Sequence, residues 1–109
     1  MSDLKPQMVR ILGTERYQRL LAGVPATAGM KSGAMTLLPG ESVGEHKTEG
    51  KEETILILEG KADVYVEGQL VFTAEKESLV YIPPETSHDI KNSGDGRLCH
   101  TRMSDHVTV

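Results

Sequence analysis

Short apolar runs separated by glycine and proline set the rhythm of this chain. Residues 34–38, 54–58, 62–66, 70–73, 79–82 and 97–103 are such runs, rich in Val, Ile and Leu. Pro39-Gly40, Gly44, Gly50, Gly60, Gly68, Pro83-Pro84, Gly94 and Gly96 punctuate them. Runs this short between turn signals predict β-strands, and their spacing of roughly ten residues predicts a sandwich or barrel. Residues 62–66 and 70–72 flank Glu67-Gly68-Gln69, which predicts a hairpin. A second hairpin is predicted where residues 92–96 separate 87–91 from 97–103. Near the N-terminus, Met8, Ile11, Leu12, Tyr17, Leu20 and Leu21 fall at helical spacing. That periodicity predicts a short helix over 15–21, with Gly13 and Gly23 limiting it.

Composition narrows the class. The chain has 109 residues, which suits one domain over 1–109 with one core. The net charge of −4 argues against a nucleic-acid partner, which calls for a basic face. The longest apolar run is about five residues, far short of a membrane-spanning helix. The first ten residues carry no apolar stretch of signal-peptide length. A single cysteine, Cys99, excludes an internal disulfide and a cysteine-rich zinc site. The expectation is a soluble, cytoplasmic protein with no membrane partner.

Candidate chemistry lies in the histidines. Glu53, Ile55 and Ile57 share one strand face. Glu53 therefore points with two isoleucines, either into the interior, where a cation or hydrogen bond must offset its burial, or into water at the strand's mouth. His88 and Ile90 share a face opposite Asp89 and Lys91, so His88 is expected to face inward. If 93–95 form the second hairpin's loop, His88 stands opposite His100 and Ile90 opposite Leu98 on the inner face. A slip of one residue turns His100 outward. In the first register Arg102 joins His100. Its planar fork suits a carboxylate or phosphate, and the plainer alternative puts it at the rim in water. Cys99 then faces outward as a small filler, and His106 lies in a solvated tail.

Taken together, these positions resemble the cupin family. Its first motif is matched by Gly40, five residues, His46, Lys47, Thr48, four residues, Glu53, six residues and Gly60. Thr48 stands where that motif has a second histidine. In the second motif Pro83, His88 and Asn92 stand at the right spacing, with Glu77 and Glu85 in place of two glycines. The resemblance is direct over 39–92 and extends over 29–103.

It implies an all-β double-stranded helix, or jelly-roll barrel, of two antiparallel sheets. The core barrel would cover roughly 29–103 and an N-terminal arm 1–28, with residues 8–21 extended rather than helical. A homodimer is also implied, with outward Cys99 and Met103 in need of apolar cover. Carried over position by position, the metal ligands are His46, Glu53 and His88, and His100 is the candidate fourth. Thr48 is a poor ligand, but two histidines and a carboxylate suffice for a divalent ion with open positions. Iron, manganese, nickel and zinc are all compatible. One reading is a metal-dependent enzyme of dioxygenase or isomerase type acting on a small molecule. The alternative is a non-catalytic barrel that has lost its metal and holds a small polar ligand through Thr48, His100 and Arg102.

Overall fold

A computed structural model describes residues 4–107. Nine strands form: β1 (Tyr17–Ala22), β2 (Lys31–Leu37), β3 (His46–Lys47), β4 (Lys51–Glu59), β5 (Lys61–Val66), β6 (Gln69–Glu75), β7 (Leu79–Ile82), β8 (Ser87–Asn92) and β9 (Leu98–His106). No helix occurs among the described residues. The segment predicted as helix over 15–21 is strand β1, antiparallel to β2. Its apolar spacing loses to the pairing offered by β2, whose Gly33 leaves room for the Tyr17 ring.

Two antiparallel sheets make the jelly roll. One has the order β1-β2-β9-β4-β7 and the other β3-β8-β5-β6. The β5–β6 hairpin turns at Glu67-Gly68, as its sequence predicted. The second predicted hairpin does not form. β8 pairs with β3 and β5, whereas β9 pairs with β2 and β4 in the other sheet. Residues 93–97 cross between sheets, so His88 stands opposite His46 rather than His100.

On three neighbouring strands of the larger sheet the inward row runs from a buried apolar end toward the mouth of the barrel. On β4 the order is Ile57, Ile55, Glu53; on β9 it is Leu98, His100, Arg102; on β2 it is Leu37, Met35, Gly33. Leu37, Ile57 and Leu98 are fully buried. They join Ile55, Ala62, Val64, Ile82 and Ile90 in one cluster that closes the far end. Asn92 seals that end too. Its Nδ2 donates to the Leu37 and Gly96 carbonyls, both at 2.9 Å, and its Oδ1 accepts from Gly94 N–H. Gly60 is needed beside it. At φ 93° it lies so close to β9 that a Cβ there would stand 2.5 Å from the Arg97 carbonyl oxygen.

Cys99 corrects an expectation. It is 5% exposed on the central strand of its sheet, level with Thr36 and Glu59, so it needs no partner chain to cover it. Met103 is 39% exposed. His106 is exposed, as expected.

Candidate metal centre

Strand register assembles the site. The short strand β3 pairs His46 directly with His88 on β8, and the imidazole centroids lie 4.1 Å apart. Glu53 reaches toward them from β4 in the opposite sheet. Glu53 and His88 are 5% and 1% exposed, while His46 is half-buried at the mouth. The donor atoms of these three residues all lie within 4.8 Å of one another.

The outer ring nitrogens explain how the imidazoles are aimed. His88 Nδ1 lies 3.3 Å from the Thr86 carbonyl oxygen, and His46 Nδ1 lies 3.4 Å from that of Gly44. A carbonyl only accepts, so each Nδ1 carries the proton and each Nε2 turns inward. His88 Nε2 then stands 2.8 Å from Glu53 Oε2, a contact that needs a proton or a cation between the two atoms. His46 Nε2 is 3.9 Å from Glu53 Oε1, beyond hydrogen-bond length. It is a buried nitrogen without a hydrogen-bond partner.

Charge follows this geometry. Burial alone would raise the Glu53 pKa, but the two imidazoles outweigh it and hold the carboxyl at about 2. The Glu53 carboxylate raises the His46 pKa against the opposing effect of partial burial. The three donors fit a divalent ion: two imidazole lone pairs and a carboxylate converge, and one nitrogen lacks any other partner.

His100 and Thr48 stand apart from that group. His100 is 2% exposed and lies level with Met35 and Ile57. Glu53 pairs with Ser104, four residues farther along β9, or about 13 Å at strand rise. His100 faces inward, as the hairpin register predicted, but one of its neighbours is Ile57 and not His88. Burial, reinforced by the Arg102 guanidinium, lowers its pKa to about 4. Its Nδ1 has no hydrogen-bond partner. Thr48 is buried with its hydroxyl committed: Oγ1 donates to the Pro83 carbonyl at 2.6 Å and accepts from Thr86 N–H at 3.0 Å. This clamp holds the turn whose Thr86 carbonyl orients His88.

A cavity of about 400 Å³ opens against His46 and Glu53. Arg102 lines it, as do Tyr17, Gly33 and Ser104. The guanidinium carbon of Arg102 lies 5.9 Å from the Tyr17 ring centroid, within cation–π range. Sequence reasoning missed Tyr17, because its apolar spacing suggested a helix. It also missed Arg19, Lys31, Lys47 and Lys51, which line this cavity from four strands, a grouping that only the tertiary fold creates.

Comparison with known proteins agrees with this architecture. A Salinispora arenicola protein described as a Cupin 2 conserved barrel domain protein superposes with a TM-score of 0.76 at 22% identity, covering 94% of this chain and 92% of that one. A cupin family protein with a double-stranded β-helix fold from Methanocaldococcus jannaschii superposes with a TM-score of 0.73 at 15% identity, covering 93% and 91%. In sequence, the polyketide synthase CurC of Streptomyces cyaneus is 34% identical over 74 residues, 65% of this chain and 47% of that protein. The chain thus spans about half the length of that curated relative. The family model for the cupin domain matches residues 33–101, and on that match the chain belongs to the cupin family.

Proposed function

We propose that this cupin binds one divalent metal ion through His46, Glu53 and His88 and presents it to a small polar molecule in the adjoining cavity. One observation carries the reading: both Nδ1 atoms face backbone carbonyls, so both Nε2 atoms converge on the Glu53 carboxylate. His46, Glu53 and His88 would hold the ion with coordination positions left open, and it would supply Lewis-acid or redox chemistry there. The chain's own residues do the rest. Gly44 and Thr86 fix the tautomers, and Thr48 fixes the turn that carries the Thr86 carbonyl. The apolar plug below the site excludes water from the closed end. Similarity to a protein named as a polyketide synthase supports a small oxygenated organic substrate.

Calorimetric titration of chelator-treated protein with Zn(II), Ni(II), Mn(II) and anaerobic Fe(II) tests the proposal. One ion per chain is expected for the wild type. His46→Ala and His88→Ala should each weaken binding by about tenfold or more. No binding of any of the four ions at micromolar protein would sink the reading and favour a metal-free ligand-binding barrel.

A further inference from the structure

The cavity beside the metal site carries a charge opposite to that of the protein. The chain has a net charge of −4. Yet Arg19, Lys31, Lys47, Lys51 and Arg102 line this one opening, against only Glu49 and Glu53. Glu53 is moreover engaged with His46 and His88. Five cationic residues from β1, β2, β3, β4 and β9 thus line a space that a bound divalent ion would make still more positive. Such a lining attracts anions and disfavours cationic ligands.

Arg102 is the deepest of the five. It sits on the inward row of β9 immediately above buried His100, level with Ile55 and Gly33. Gly33 matters here. With no side chain of its own, it lets the Tyr17 ring pack against its backbone, 2.7 Å from where a Cβ would stand, and from there Tyr17 reaches Arg102. The guanidinium is thereby held at the wall of the cavity. Among the described residues, the ion pairs involve Arg16 and Arg97 but not Arg102. A planar fork fixed in this way is suited to bind a carboxylate through two parallel hydrogen bonds.

We propose that the cavity binds an organic carboxylate, anchored by Arg102, whose second oxygen donor faces the His46–Glu53–His88 group. The direction toward the metal rests on the function proposed above; the anchoring by Arg102 does not. Tyr17 is a positioning residue that supports the guanidinium.

The test uses salicylate and malonate as probes, with salicylamide and malonamide as their uncharged counterparts. Each is titrated calorimetrically into zinc-loaded and chelator-treated protein, and metal content is measured for every variant. The wild type should bind the acids and not the amides. Arg102→Gln should retain metal while losing about ten- to hundredfold in carboxylate affinity, as expected for a charge-assisted pair. Arg102→Lys should recover only part of it, since an ammonium cannot form the fork. Tyr17→Leu should weaken the acids by a smaller factor and leave metal affinity unchanged. Failure of the wild type to bind either acid at millimolar concentration overturns the inference. So does equal binding by wild type and Arg102→Gln. Arg102-dependent binding to a protein that takes up no metal would support the anchor and reject the metal reading, so the two failures are distinguishable.

Discussion

His100 offers the clearest quantitative prediction, because its burial links it directly to acid stability. The imidazole is 2% exposed, level with Met35 and Ile57, and its Nδ1 has no hydrogen-bond partner. Burial, then Arg102, lowers its pKa from 6.5 to about 4, although Glu53 partly opposes this. The sign follows. As pH falls through 6.5 the unfolded chain takes up a proton that the folded chain refuses, so stability is full above 6.5 and drains away down to about 4. At about 1.4 kcal/mol for each pH unit, the loss over that interval is about 3 kcal/mol. The other shifted groups of the site act elsewhere. His46, raised, contributes stability that is present below 6.5 and lost as pH rises above it. Glu53, lowered to about 2, contributes stability that is lost below 4.5. The assay is urea unfolding of chelator-treated protein at pH 7.0 and 4.5, for wild type and His100→Leu. The wild type should lose about 2–3 kcal/mol more than the variant between the two pH values. Equal losses would show that His100 is hydrated or partnered in solution, and would refute the argument.

Other positions give simpler outcomes. Glu77 adopts φ 70° at a position where the family motif has glycine, so Glu77→Gly should stabilise the fold by about 0.5–1 kcal/mol and raise the melting midpoint by a few degrees. Glu85, at φ 56°, carries the same strain. Its Oε1 also accepts from Gly50 N–H at 2.7 Å, so Glu85→Gly should gain less than Glu77→Gly in the same melting experiment. Thr48→Val removes a hydroxyl that serves Pro83 and Thr86, and should cost about 1–3 kcal/mol in urea unfolding while weakening metal uptake through His88. Phe72, Leu79 and Tyr81 are each more than half exposed on the edge strands β6 and β7. A homodimer would cover them, and light scattering should give twice the chain mass of 11.9 kDa; a mass of one chain would reject it.

The parts of the fold that local pattern dictates were legible. Alternation along residues 53–57 placed Glu53 with Ile55 and Ile57, and both isoleucines are buried with it. The Gly68 turn set the β5–β6 hairpin. Where the sequence misled, a long-range choice had overridden a local one. Residues 92–96 look like a hairpin loop, yet the jelly roll sends the chain to the other sheet there, since β9 finds partners on both sides between β2 and β4. Facing direction survived the error because side-chain alternation does not depend on which strand is the neighbour. Thus His100 is inward while its partners differ from those expected. The cationic lining was hidden for another reason. Arg19, Lys31, Lys51 and Arg102 lie on four different strands, and only the mouth of the barrel brings them together.

The same gradient that closes one end of the β4 and β9 inward rows makes the other end dependent on what binds there. Leu37, Ile57 and Leu98 supply burial that no ligand affects. Glu53, 5% exposed, is different: its charge needs a positive partner, and His46 and His88 are the groups that face it. A proton shared with the imidazoles and a metal ion are alternative ways to meet that need, and they exclude one another because a ligating Nε2 must be unprotonated. His46, whose pKa Glu53 raises, is therefore the group at which proton and metal compete. Metal affinity should climb with pH through the range above 6.5 and level off once His46 is neutral. His46→Gln should remove most of this climb, and potentiometric zinc titration of both proteins reads the difference. A climb of equal size in His46→Gln would assign the competing proton to another group.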